Sequence, residues 1–140
     1  MSSDLTWLLI KKNNSFLIKR SGVQFSKEAG NLLNKNSFKY SGLANKKTID
    51  IAAAPSGRGV VVSTKKTNVP AFKPTKAHNK VTLTKGVRKS ARSVAGLTRI
   101  GYRADLRKAA LARVAAVLAS QKPVKAAPKK AAKGIRANKN

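Results

Sequence analysis

Large apolar residues near the start of the chain recur at the spacing of one helical face: Leu5, Leu8 and Leu9. A serine just before this segment can cap a helix, and Asp4 lies in the first turn, where the helix dipole favours an acidic residue. The pattern therefore predicts a short N-terminal helix, and we expect its Trp7 to lie in the core.

The next apolar segments are short and flank turn residues, as the strands of a hairpin do. Residues 15–20 and 23–26 lie on either side of a Ser-Gly pair, which suits a two-residue turn. We expect Phe16 and Phe25 to face inward from these strands and to fill the core.

A second strand pair is expected at residues 48–52 and 59–64, joined by a Pro-Ser-Gly turn. The valine run at 60–62 is continuous and β-branched, which is typical of a strand buried on both faces. Residues 29–47 are rich in Asn, Gly and Ser, so we expect mostly loop there. The pattern predicts an antiparallel sheet packed on the N-terminal helix.

The second half of the chain has a different pattern. Residues 67–84 contain two prolines, steady lysine and little periodicity, which predicts an extended linker. Helical spacing returns weakly over residues 85–98 and strongly over residues 103–121, where one face collects Leu106, Ala110, Val114 and Val117. Pro123 ends this pattern, and the Lys/Ala-rich residues that follow are expected to be disordered when free.

These elements predict an α+β fold: a small antiparallel sheet with a short N-terminal helix, followed by an extended linker, one or two C-terminal helices and a basic tail. The corresponding division of the chain is a compact α+β domain at residues 1–66, an extended basic linker at 67–84, a helical region that docks on RNA and protein at 85–121, and a disordered tail at 122–140.

The charge balance of this 140-residue chain restricts its partners. The chain has 31 Lys+Arg against 4 Asp+Glu, for a formal net charge of +27 at pH 7. Because self-repulsion among so many cations opposes a compact free protein, we expect a polyanion to be the normal partner. Counter-ion release from phosphates supplies affinity for such a partner without sequence specificity.

Few residues suit catalysis or metal binding. The chain has no Cys and one His, and its 4 carboxylates are scattered, so zinc sites, carboxylate dyads and Mg²⁺ cages are not expected. The Gly-Arg-Gly at 57–59 lacks the ending of a phosphate loop and predicts a hairpin turn. The first apolar run is too short to span a membrane or to form a signal peptide. We expect a soluble, non-enzymatic protein with no cofactor, no metal, no small-molecule substrate, no membrane partner and no homo-oligomer.

Cations beside aromatic rings suit RNA, because phosphates bind the charges while unstacked bases lie on the rings. For Phe38 and Tyr40, which lie between basic residues in the predicted loop, RNA or interface contact and a purely structural role are equally supported. The predicted RNA-binding residues are the cations and one tyrosine of the strands, loops and helix starts: Lys19, Arg20, Lys39, Tyr40, Lys46, Lys47, Lys65, Lys66, Arg88, Lys89, Arg92, Arg103 and Arg107.

Several motifs resemble those of the eukaryote-specific large-subunit ribosomal protein twenty-eight family. The segment 14–20 (Asn-Ser-Phe-Leu-Ile-Lys-Arg) is similar to the opening motif of that family, and the segment 36–43 (Asn-Ser-Phe-Lys-Tyr-Ser-Gly-Leu) is similar to its second block. Residues 102–110 resemble its C-terminal helix, although Ala104 stands where the family has Pro. The resemblance covers most of residues 5–123 in the same order.

The resemblance implies a structural constituent of the cytosolic large (60S) ribosomal subunit. Such a protein binds and stabilises ribosomal RNA through phosphate contacts, lies beside neighbouring ribosomal proteins, and passes through the nucleolus during subunit assembly. The alternative is a linker-histone-like chromatin or DNA-binding protein, because the Lys/Ala/Pro tail resembles such tails. Against this alternative, the hairpins predicted in residues 1–66 do not fit a three-helix winged domain. An RNA-modifying enzyme would need a positioned acid, base or cofactor loop, and the motifs supply none.

Overall fold

The computed structural model describes residues 2–70, 73–99, 101–124 and 126. The helices and strands follow in this order: α1 (Ser3–Ile10), β1 (Leu17–Arg20), β2 (Val23–Ser26), β3 (Ile49–Ala53), β4 (Val60–Lys65), β5 (His78–Leu83), α2 (Val87–Arg99) and α3 (Arg107–Ser120). Short 3₁₀ turns lie at Phe38–Tyr40, Pro74–Lys76 and Ala104–Leu106. The structure confirms the α+β class. The segment predicted as the last helix folds as a 3₁₀ turn at Ala104–Leu106 followed by α3.

The strands form two separate antiparallel sheets. In the first, β1 pairs with β2 around a turn in which Ser21 and Gly22 both have positive φ, +46° and +76°. This turn matches the twist of the flanking strands and confirms the predicted hairpin. The second sheet has the order β3-β4-β5, with β4 in the centre.

The main hydrophobic core lies between the three-stranded sheet and the two C-terminal helices. Ile49, Ile51, Val60 and Val62 face it from the sheet, and α2 and α3 add small and branched side chains, chiefly Val94, Ala110, Val114 and Leu118. Leu106, which is 2 % exposed, joins the core from the turn before α3. The apolar stripe predicted for the last helix is thus confirmed as its buried face.

The prediction that the sheet packs on the N-terminal helix is wrong. Ser2 caps α1 as expected, by accepting a hydrogen bond from the Leu5 amide, but α1 buries none of its residues. Trp7 is half-buried against Phe38, with ring centroids 6.1 Å apart, and lies outside the main core. The helices α2 and α3 cover the sheet face instead, with Val94, Ala110 and Val114 buried in the core that they share with the sheet.

Two further burial predictions are wrong for the same reason. Only one face of β4 is covered by helices, so Val60 and Val62 are buried while Val61 is only half-buried. Phe16 and Phe25 lie on the hairpin, outside the main core, and they remain 42 % and 41 % exposed.

The linker expected over residues 67–84 contains a strand. Residues 78–83 form β5 at the edge of the sheet, where five of the six residues are exposed, so no hydrophobic alternation marks the segment. Backbone hydrogen bonds to β4 decide its conformation. The division of the chain into four parts stays a prediction, and the core combines residues of 1–66 with residues of 85–121. The tail predicted at 122–140 lies outside the described residues, apart from 122–124 and 126.

The end of α3 is attached to the turn between β3 and β4. The Gln121 amide group donates to the Gly59 carbonyl at 2.7 Å and accepts from the Gly59 amide at 2.9 Å. The Gln121 side-chain amide thus makes the same two hydrogen bonds to Gly59 that a backbone residue of a neighbouring β-strand would make. The Gly-Arg-Gly segment is therefore a structural turn, as predicted.

Candidate nucleic-acid interface

Arg103 joins the loop before β3 to the start of α3. Its backbone is left-handed, with φ +53°, so it precedes the helix instead of continuing it. Its guanidinium donates to the Lys39 carbonyl at 2.6 Å and to the Lys47 carbonyl at 2.9 Å. The same group binds the Asp105 carboxylate with two bonds, at 2.9 and 3.0 Å. One side chain thus holds three segments together.

The neighbouring Tyr102 fixes the ends of two strands. Its hydroxyl lies 2.7 Å from the Lys65 carbonyl and 3.1 Å from the Thr48 carbonyl. Burial raises the pKa of Tyr102, so the phenol stays protonated and can donate to these carbonyls. The ammonium of Lys47 lies 5.8 Å from the centre of the tyrosine ring, within the range of a cation–π interaction.

Around this tyrosine the structure forms an open, cation-lined groove. We call it the Tyr102 groove; its main lining residues are Lys47, Lys65, Lys66, Asn68, Asn79 and Tyr102. Three ammonium groups and two amide side chains provide hydrogen-bond donors, and no carboxylate lines it. Hydrogen-bond donors and positive charge in one groove suit the binding of phosphate oxygens.

The few acidic residues leave the positive charge of the groove in place. Asp105 forms an ion pair with Arg103, and the hydrogen bond from Arg103 holds the pKa of that carboxyl below its ordinary range. Glu28 is 5 % exposed and accepts hydrogen bonds from Asn31 and Ser41. Across the described ranges, no carboxylate other than Asp105 forms an ion pair. With 31 Lys+Arg against 4 Asp+Glu in the chain, most of the positive charge is not balanced by its acidic residues.

The structure brings together one group of the predicted RNA-binding residues. Lys47, Lys65 and Lys66 line the groove around Tyr102. Arg103 binds the Lys47 carbonyl and the carbonyl of Lys39, which is 64 positions away in the chain. The exposed Lys46 lies next to this group in the chain.

Tyr40 has a mixed environment in the same 3₁₀ turn as Lys39. The ammonium of Lys39 lies 5.7 Å from its ring centre, and the ring itself packs partly on the core. Tyr40 is therefore in part a structural residue.

The remaining predicted residues lie on separate surfaces. Lys19 and Arg20 are exposed on β1, and Arg88, Lys89 and Arg92 are exposed on α2. Arg107 is exposed at the start of α3. The helical pattern was expected to begin at residue 103, but Arg103 has a left-handed backbone and α3 begins at Arg107.

Several lining residues were missed by the sequence analysis. Tyr102, Asn68 and Asn79 come from three segments with no shared motif, so only their position around the sheet edge identifies them. A second cationic groove, between the β3–β4 turn and the start of α2, is lined by Arg58, Lys85 and Lys122. Its residues are single cations in the sequence and gave no local signal.

The described residues also bear on metal binding and membrane insertion. Within the described part of the chain, no three His, Asp or Glu side chains lie close enough together to hold a metal ion. None of the helices described has the length and apolar character that crossing a membrane requires.

Comparison with known proteins agrees with the motifs. The profile of the Ribosomal L28e protein family matches residues 5–120. The chain is 44 % identical over 130 residues to the large ribosomal subunit protein eL28 of Schizosaccharomyces pombe, across 89 % of this chain and 96 % of that relative. It is 45 % identical over 133 residues to the protein of the same name from Dictyostelium discoideum, across 95 % of this chain and 98 % of the relative. The Caenorhabditis elegans protein of that name is 43 % identical over 119 residues, which cover 81 % of this chain and 90 % of the relative. The chain therefore belongs to the Ribosomal L28e protein family.

Proposed function

We propose that this protein is a structural constituent of the large ribosomal subunit and binds ribosomal RNA through phosphate contacts centred on the Tyr102 groove. Membership of the Ribosomal L28e family supports the ribosomal role. The observation that carries the RNA contact is the cluster of Lys47, Lys65 and Lys66 around a groove with no carboxylate in its lining. The protein acts in cytoplasmic ribosomes and joins the subunit during its assembly in the nucleolus.

Hydrogen bonds between the uncharged Tyr102 hydroxyl and main-chain carbonyls hold the groove together, so its lysine side chains are available to bind phosphate. Tyr102 anchors the strand ends through the Lys65 and Thr48 carbonyls, which are main-chain atoms. The ammonium groups of Lys65 and Lys66 therefore do not hold the fold together. Binding of phosphates there releases counter-ions and stabilises the folded protein together with the RNA.

Arg103 is proposed to position the groove instead of binding RNA directly. Its side chain is 15 % exposed, and its guanidinium already donates to Lys39, Lys47 and Asp105. A guanidinium engaged in this way has few donors left for a phosphate. By holding the Lys47 main chain, Arg103 sets where the Lys47 ammonium lies.

The exposed apolar residues of α1 are proposed to contact a neighbouring ribosomal protein. It exposes Leu5, Leu8 and Leu9 by 47, 58 and 66 %, and residues 3–10 contain no Lys or Arg. In a chain with a net charge of +27, a helix without cations is poorly suited to RNA. An exposed apolar surface of this kind is typical of a protein-binding site.

The chromatin alternative is not proposed. Hairpins, not a three-helix winged domain, occupy residues 17–65, and the family profile covers both halves of the chain. An enzymatic role is not proposed either, because the family is a ribosomal protein family and the grooves are lined by lysines and amides.

Charge reversal in the groove tests the proposal. The groove variant carries Lys47→Glu and Lys66→Glu, and the matched control carries Lys12→Glu and Lys108→Glu, which are exposed and lie outside the groove. Tagged full-length proteins are expressed in eukaryotic cells, and lysates are sedimented to measure the tagged fraction in 60S particles and polysomes. We expect the groove variant to lose at least about tenfold more incorporation than the control, since it removes two phosphate contacts.

The salt dependence of binding to purified ribosomal RNA gives a second measurement. Each lost contact reduces the slope of log K against log salt by about 0.7–0.9, so the groove variant should lose about 1.4–1.8. Circular dichroism of both variants checks that they fold. Equal losses for the groove variant and the control would show that total charge decides binding and the groove does not.

A further inference from the structure

One face of the first hairpin collects two phenylalanine rings and three cations. The register pairs Ile18 with Phe25 and Arg20 with Val23. The ladder continues by one residue, because the Lys27 amide donates to the Phe16 carbonyl at 2.9 Å. Side chains directly opposite each other share a face, and every second residue along a strand returns to it. Phe16, Arg20, Phe25 and Lys27 therefore lie on one face.

A further segment widens this face. Phe25 forms an antiparallel bridge with Lys35, which places Lys35 on the same side on the other flank of β2. We call this surface the hairpin platform; it consists of the rings Phe16 and Phe25, the cations Arg20, Lys27 and Lys35, and the aliphatic residues Ile18 and Val23.

The rings of the platform are accessible. Phe16 is 42 % exposed and Phe25 is 41 % exposed, and the three cations around them are exposed as well. Large aromatic rings open to solvent are unfavourable unless a partner covers them. Nothing in the described fold covers them, so the platform is expected to be buried only in a complex.

The charges of the platform identify the partner. Its rings are flanked by three cations, and no residue of the platform is acidic. Another exposed apolar surface, on α1, contains no Lys or Arg within residues 3–10. Rings beside cations bind RNA through the stacking of unpaired bases, while the adjacent phosphates bind the charges. A protein partner explains the rings but not the cations around them.

We propose that the hairpin platform stacks unpaired bases of ribosomal RNA. This inference rests on the proposed function, and it adds single-stranded nucleotides as the ligand of a second site, distinct from the Tyr102 groove. The groove binds phosphates whether or not the bases are paired, whereas the platform requires bases that are free to lie on a ring.

Abasic oligonucleotides separate stacking from phosphate contact. Full-length protein is titrated with a fluorescent single-stranded RNA of about twelve nucleotides and with the same RNA lacking its central bases, so that the phosphates are retained. The platform variant carries Phe16→Leu and Phe25→Leu, which keep apolar side chains but remove the rings. The matched control carries Leu43→Ala and Val124→Ala, which also change exposed apolar residues and lie outside both the platform and α1.

We expect wild-type protein and the control to bind the complete RNA at least about fivefold more tightly than the abasic RNA, because stacking contributes substantially for each base. The platform variant should bind the two RNAs within about twofold of each other. Since both rings are already exposed, the thermal unfolding of the variant should match that of the wild type.

Two results would overturn the proposal: equal wild-type affinity for complete and abasic RNA, or unchanged discrimination in the platform variant. Either result would show that the exposed rings do not stack RNA bases. If instead the proposed function were wrong, the groove variant with Lys47→Glu and Lys66→Glu would bind both RNAs with the same salt-dependent affinity as the wild type. This outcome differs from the two that would overturn the stacking proposal.

Discussion

Replacing Arg103 by Ala tests whether one side chain stabilises the junction between the loop, the sheet and α3. The substitution removes the bonds from the guanidinium to the Lys39 and Lys47 carbonyls and the ion pair with Asp105. It leaves the core residues unchanged. Any loss of stability therefore measures the contribution of these contacts.

The expected loss follows from the exposure of the groups. Each carbonyl bond contributes about 1–1.5 kcal/mol, since water can replace part of it. The ion pair contributes less than about 1 kcal/mol, because the Asp105 side chain is 42 % exposed and the pair is screened by solvent. We expect Arg103→Ala to lower the free energy of unfolding by about 2–4 kcal/mol, a large share of the stability of a small domain.

Arg103→Gly is the matched control for the backbone. At φ +53° alanine is strained by about 1–2 kcal/mol, whereas glycine adopts this conformation freely. Glycine gains about 0.5–1 kcal/mol of entropy in the unfolded chain, which offsets part of the relief. We expect the Gly variant to be more stable than the Ala variant by up to about 1 kcal/mol and less stable than the wild type.

Urea unfolding of the full-length proteins, followed by far-ultraviolet circular dichroism, measures these differences. An Ala variant within about 0.5 kcal/mol of the wild type would show that the Arg103 contacts contribute nothing. A Gly variant less stable than the Ala variant would show that the left-handed backbone is not retained.

Three other substitutions test the fold at separate points. The hydrogen bond from Arg103 holds the pKa of Asp105 below its ordinary value of 3.8, so the stabilising effect of the carboxylate is present above that pH and is lost as the pH falls through the lowered pKa. The urea midpoint of the wild type should therefore decrease more steeply below about pH 4 than that of Asp105→Asn. Parallel curves would contradict this. Gly42→Ala places a Cβ against the Ala29 carbonyl oxygen and should cost about 1–3 kcal/mol in thermal unfolding, while Gly86→Ala points into open space and should change little; equal melting temperatures would refute the close approach. Leu106→Asp buries a carboxylate at a position that is 2 % exposed and should abolish the dispersed NMR spectrum of the folded protein, whereas Leu106→Met should cost less than about 1.5 kcal/mol; a folded Asp variant would contradict the buried position.

Elements governed by neighbouring residues were predictable. The serine cap places the start of α1, the Ser-Gly turn defines the first hairpin, and the spacing of Leu106, Ala110 and Val114 indicates the buried face of the last helix. Each of these depends on contacts within a few positions along the chain. The motifs that resemble the ribosomal family lie on the same local segments.

The candidate site was predictable only in part. Composition alone predicts a polyanionic partner, and Lys47, Lys65 and Lys66 were among the cations predicted to bind it. Their meeting point was not predictable, because Tyr102 reaches carbonyls 54 and 37 positions away in the chain. Arg103 was assigned to RNA, yet its guanidinium is directed at main-chain carbonyls of the fold.

Residue types and short spacings are enough to predict the charge, the family and the local elements of this chain. Tertiary structure alone decided that β5 joins the sheet, that α2 and α3 cover it in place of α1, and that Phe16 and Phe25 remain exposed. An edge strand is held by backbone hydrogen bonds that leave no pattern in its side chains. Burial of a phenylalanine depends on which surface packs over it, and that surface comes from a distant part of the chain.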